Sequence, residues 1–123
     1  DELNIANKIE VLGKQTIRDV AIITKSCNAF ILSSNYENMP CVIAESLCCG
    51  LPVVSTNVGG ISEIIDDSNG ILVSKGNAVE LSKAISSMVE NYTTYKREQI
   101  AEIAHNSFGK QAVLEQLEQS LEI

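Results

Sequence analysis

Short apolar runs punctuate the chain: AFILSS at 29–34, LPVVST at 51–56 and GILVS at 70–74, each ending in small polar residues. Being short and continuously apolar, they predict strands buried on both faces, as in a parallel sheet. A weaker run, KIEVLG at 8–13, closes on a glycine and predicts a further strand. The intervening segments carry helical spacing. Over 16–26, TIRDVAIITKS places Ile17, Val20, Ala21, Ile23 and Thr24 on one broad face, with Arg18 and Asp19 outside it. Over 40–49, Pro40 stands where a helix opens and Gly50 just past its end, the usual asymmetry of those residues. From Asn77 onward only helical stripes remain. Leu81, Ala84, Ile85 and Met88 make one, Ile100, Ile103 and Ala104 a second, and Val113, Leu114, Leu117 and Leu121 a third. The order predicts an α/β chain: a Rossmann-like parallel sheet of about four strands with right-handed crossovers, then C-terminal helices packed on it. No internal repeat, low-complexity tract or linker divides it, so a single domain over 1–123 is expected.

At 123 residues with 45% hydrophobic side chains, the chain suits one domain with a substantial core. It begins DELNI, without a Met or a basic and apolar leader, so no signal peptide is expected and the chain reads as a piece of something longer. Glu45, Glu63 and the Gly and Asn clusters interrupt every apolar run before the ~18 residues a membrane helix needs. Sixteen acidic against nine basic residues give a net charge of −7, which opposes the phosphate contacts that dominate nucleic-acid binding. A small anionic ligand is still compatible, since a helix N-terminus can hold a phosphate. Cys27, Cys41, Cys48 and Cys49 lack zinc-site spacing, so no metal is expected. Cys48 and Cys49 end an apolar helical pattern and read as buried reduced thiols, which points to a cytoplasmic compartment. His105, the one histidine, falls in a helical segment remote from the strand ends and reads as structural or surface rather than catalytic.

The informative chemistry lies in YENMPCVIAES, 36–46, where Glu37 and Glu45 stand eight positions apart around Pro40. An ionised carboxylate among VIAESL is costly to bury without a partner. Ligands of open parallel sheets bind beyond the carboxyl ends of the strands. There lie the loop 33–39 and the stretch 56–60, each leading into a helical segment with free N-terminal amides. Glu37 falls in the first loop and Glu45 about one and a half turns into the helix. A carboxylate there can accept from both hydroxyls of a ribose diol. The plainer reading is that Glu45 faces solvent between turns, and periodicity alone leaves both open.

The run SSNYENMPCVIAESLCCGLPVVSTNVGGISEIIDDSNGILVSKGN joins this E-x7-E spacing to G-x-P-V-V and then G-G-x-x-E. In that order the motifs resemble the C-terminal domain of the family 4 (group 1) glycosyltransferases of the GT-B fold. Lys8 to Gly13 resembles the strand before that domain's nucleotide-base loop, and the terminal helices resemble those closing it. The resemblance implies a retaining, metal-independent transferase that moves a sugar from a nucleotide diphosphate sugar, its substrate rather than a cofactor, to an acceptor hydroxyl. It implies that Glu45 binds the ribose hydroxyls and that Glu37, the catalytic candidate, contacts the donor sugar. The backbone of Asn38, Met39 and Cys41 would meet sugar and phosphate. Because Pro40 has no N–H, the amides of Met39, Cys41 and Val42 would donate. Lys14 and Gln15 match the base-binding loop. Gly59 and Gly60 match a glycine pair whose backbone approaches its neighbours closely, and Glu63 reads equally as a helix-end contact.

The acceptor domain and the early Arg and Lys that usually hold the diphosphate are outside this sequence. So are the first two strands of a sheet ordered 3-2-1-4-5-6, which would otherwise stand between KIEVLG and AFILSS. Either KIEVLG repacks directly beside AFILSS, or the exposed edge pairs with a second copy in a homodimer. The acceptor (a sugar, a lipid-linked sugar or a protein) is undefined, and a lipid-linked one would place the whole protein at the inner face of the membrane. Two rival readings stay open: a sugar-nucleotide epimerase of the same fold, and a non-catalytic interaction module that tolerates loss of both glutamates.

Overall fold

The computed structural model describes residues 4–38, 40–109 and 118–119. Its sheet is built from the three strongest apolar runs, β1 (Phe30–Leu32), β2 (Val53–Thr56) and β3 (Gly70–Val73), all parallel in the order β1-β2-β3. Every residue of β2 is buried, as expected of a central strand covered on both faces. Its side chains alternate between two cores. Val53 joins Ile43 and Leu47 of α2 (Cys41–Cys48) and Ile100 and Ala104 of α4 (Arg97–Phe108) on one face. Val54 joins Ala84 and Met88 of α3 (Ala78–Asn91) on the other. Two of the three C-terminal stripes thus cover the sheet, although Ile103 of the second faces outward. The Val113, Leu114, Leu117 and Leu121 stripe lies outside the described residues.

α2 ends as its sequence suggests. Gly50 takes φ +79, its N–H donates to Leu47 O at 2.8 Å, and the N–H of Leu51 reaches Ser46 O at 3.0 Å. These paired bonds form a Schellman cap, which favours glycine at the left-handed position. Pro40 sits one residue earlier than expected, at the extended N-cap position, and supplies no side-chain cap.

On the N-terminal side the expected strand fails and the expected helix forms. KIEVLG forms no strand among the described residues and does not repack beside β1; Ile9, Val11 and Leu12 are exposed. A strand exists only with a partner for its backbone groups, and none of the described strands offers KIEVLG one. The helix over 16–26 does form, as α1 (Ile17–Ser26), with Thr16 Oγ1 accepting from the Asp19 N–H at 3.1 Å as its N-cap. It buries no residue, and Ile17 at its start is 92% exposed. The apolar face was legible, but among the described residues no core cluster includes it.

Candidate functional site

Beyond the carboxyl ends of β1 and β2, two loops are locked together. Thr56 Oγ1 donates to the Ser34 carbonyl, and the Gly60 N–H donates to Asn38 O at 2.8 Å. Gly59, at φ +55, lies so close to the other loop that a Cβ would stand 1.8 Å from the Glu37 carbonyl oxygen. Only glycine permits both that conformation and that approach. The close approach expected of the glycine pair is therefore present, and it is made to the loop that carries Glu37.

Glu37 is half-buried, and its Oε1 accepts from Ser34 Oγ at 2.9 Å. It lines a cavity of about 300 Å³ with Asn35, Tyr36, Asn57, Gly59 and Lys75, at the mouth of the sheet. The Lys75 ammonium lies 5.3 Å from the centre of the Tyr36 ring, within cation–π range. Three strand ends thus contribute to one cavity.

Glu45 is exposed, so the burial cost does not arise. It opens into a second cavity, of about 510 Å³, between α1 and α2. Gln15, Val20, Thr24, Cys48 and Phe108 are among the other residues lining it. Gln15 is braced by its Nε2, which donates to Leu12 O at 2.7 Å. The walls are mostly apolar with Glu45 and Gln15 as polar groups, a lining suited to a flat ring with hydroxyls at one end. Burial, then neighbouring Cys49, then the Glu45 carboxylate push the Cys48 thiol above its ordinary pKa. Cys48 therefore stays a neutral, half-buried part of the wall, and Cys49 is half-buried too, less covered than their apolar neighbours suggested.

Between the two carboxylates lies the start of α2. Cys41 and Val42 are exposed in its first turn, and no side chain caps it. The Ile43 N–H of that turn donates to the Pro40 carbonyl at 3.2 Å, while the amides of Cys41 and Val42 stand at the helix start, where N–H groups lack an acceptor one turn back and can serve an anion or hydroxyl. Asn38 contributes differently, since its carbonyl is already engaged by Gly60. Lys14 is exposed and outside the Gln15 cavity, and Met39 lies outside the described residues. Glu63 lines a separate cavity against α4, with Ile64, Asn69 and Ile100, apart from Glu37 and Glu45. His105 is exposed on α4. Among the described residues no group of three or more His, Cys, Asp or Glu could hold a metal ion, and no helix is long and apolar enough to cross a membrane.

Residues 1–107 match the family model described as glycosyl transferases group 1. The chain belongs to that family. An uncharacterized glycosyltransferase of Methanocaldococcus jannaschii is 35% identical over 89 residues, which cover 72% of this chain and 25% of that protein. Sucrose-phosphate synthase from Thermosynechococcus elongatus superposes with a TM-score of 0.87 at 24% identity, over 97% of this chain and 31% of that one. Anabaena HepE in complex with UDP superposes with a TM-score of 0.84 at 26% identity, over 98% and 34%; HepE has also been solved with UDP-glucose. These neighbours fix the architecture as the Rossmann-like half of a GT-B fold. The chain spans only a quarter to a third of the length of these proteins.

Within this group 1 domain, the structure places the two carboxylates of the E-x7-E spacing in two different cavities, Glu37 from the loop and Glu45 from the helix that follows it. Ser34 and Lys75 were missed. Ser34 carries a weak signal, three residues before Glu37. Lys75 follows the end of β3, and so carries the same signal as the other two loops, a position beyond the carboxyl end of a parallel strand.

Proposed function

We propose that this chain is the donor-nucleotide-binding part of a retaining, metal-independent glycosyltransferase, the acceptor being bound by another part of the whole protein. The observation that carries the reading is the placement of Glu37 and Glu45 on either side of an uncapped helix start, with Gln15 in the Glu45 cavity. The nucleoside would occupy the cavity between α1 and α2, its ring against the apolar wall and Gln15, its ribose hydroxyls donating to Glu45. The diphosphate would lie at the first turn of α2 and accept from the amides of Cys41 and Val42. That places the transferred sugar at Glu37, whose carboxylate Ser34 orients. In the reaction the bond between the anomeric carbon and the phosphate oxygen breaks. The new bond to the acceptor oxygen forms on the same face, and the acceptor's proton leaves with the diphosphate side. Positioning and stabilisation of the departing charge by helix amides supply the catalysis. The four cysteines are free, which suits a reducing, cytoplasmic setting.

Calorimetric titration of the full-length protein with uridine, guanosine and adenosine diphosphates and their sugar conjugates tests this. Saturable binding of one base is expected, with Glu45→Ala weakening it about 10- to 100-fold, the worth of hydrogen bonds to a charged acceptor. Unchanged affinity in Glu45→Ala, or no binding of any nucleotide, would refute the donor role and favour an interaction module on this scaffold.

A further inference from the structure

Lys75 stands two residues past the end of β3, remote in sequence from both glutamates, yet it lines the same cavity as Glu37. Its ammonium is held over the Tyr36 ring, and Tyr36 is itself 87% exposed at the tip of the Glu37 loop. A cation–π contact aims the charge without neutralising it. No ion pair to a carboxylate competes for it among the described residues. In a domain of net charge −7, a lysine placed beside a candidate sugar-binding carboxylate needs a reason.

The composition of the two cavities separates the roles available to it. Lys75 shares its cavity with Asn35, Glu37, Asn57 and Gly59, and with no residue of α2. Gln15 and Glu45 line the other cavity. If nucleoside and diphosphate occupy the Glu45 cavity and the α2 amides, the ammonium faces the glycosyl group. A neutral sugar would donate hydroxyls to Glu37 and the asparagine side chains and leave the lysine charge in water. A sugar bearing a carboxylate would present hydroxyls to Glu37 and its own charge to Lys75, making a charge-assisted hydrogen bond that a neutral sugar cannot make.

We infer that Lys75 is a specificity-determining residue that selects a donor whose transferred sugar carries a carboxylate, as a uronic acid does. The inference rests on the donor-site reading above and is tested so that the two fail separately. The full-length protein, Lys75→Met and Lys75→Arg are titrated with UDP-glucose and UDP-glucuronate, GDP-mannose and GDP-mannuronate, and ADP-glucose and ADP-glucuronate, with free UDP, GDP and ADP alongside. The expected result is a preference of about fivefold for the uronate member of the pair whose base is bound, the upper range for an exposed ion pair. Lys75→Met should level that pair, Lys75→Arg should keep the preference, and the free nucleotide should bind all three proteins equally. Lys75→Met weakening both members alike would assign the lysine to holding the Tyr36 loop and overturn the proposal. So would a wild-type protein with no uronate preference while nucleotide binding persists. Absence of binding to every nucleotide would instead remove the donor site, and this proposal with it.

Discussion

At Gly59 the side chain is a hydrogen because the carbonyl oxygens of Glu37 and Asn38 fill the space a methyl would take. An alanine there would suffer both the left-handed backbone and a clash with main-chain atoms that have nowhere to go. Together these cost about 2–4 kcal/mol. Ser34 offers the contrast, since its hydroxyl orients the Glu37 carboxylate from a half-buried position and holds little else. We expect Gly59→Ala to lower the melting temperature by several degrees and abolish sugar-conjugate binding. Ser34→Ala should leave melting nearly unchanged while weakening the sugar conjugate, relative to free nucleotide, by about fivefold, the worth of one hydrogen bond. Differential scanning fluorimetry paired with calorimetry separates the two. The glutamates were legible because their spacing around Pro40 is a local pattern. Lys75 was not, because its relation to Tyr36 and Glu37 exists only once β1 and β3 stand in one sheet.

Among the elements, strands β1 to β3 and helices α2 to α4 were readable from period and punctuation, and the departures occur where an element depends on a neighbour. KIEVLG has a strand's composition without a strand beside it, so its backbone stays outside the sheet. α3 is the opposite case, secured by its own sequence. Asn77 Oδ1 accepts from the Glu80 N–H at 3.0 Å, Asn77 Nδ2 donates to Glu80 Oε2 at 3.1 Å, and Glu80 Oε1 accepts from the Ser74 N–H at 3.1 Å. This variant of the capping box ties the helix to the segment carrying Lys75. Asn77→Ala should therefore cost about 1 kcal/mol in stability, seen as a lower urea midpoint with unchanged slope.

At the scale of the whole molecule, sixteen acidic residues make pH a lever on stability, and Asp66 supplies one local contribution to it. The hydroxyl and then the amide of Ser68 hold its carboxyl below the usual range. The resulting stabilisation is complete above the ordinary aspartate value of about 3.9 and is lost as pH falls through the lower folded value. Melting curves of wild type and Asp66→Asn should accordingly converge as the pH is lowered from about 5 to about 3. The absence of buried side chains in α1 has a different consequence. A helix of ten residues is marginal by itself in water, and among the described residues α1 is held by its Thr16 cap and by one rim of the Glu45 cavity, with no buried side chain of its own. If a nucleoside bridges Gln15 and Glu45, it must first find that wall standing. Its apparent affinity is then the intrinsic one scaled by the fraction of molecules in which α1 is formed. Whatever covers α1 from outside sets that fraction, and so tunes nucleotide affinity from a face that never touches the nucleotide.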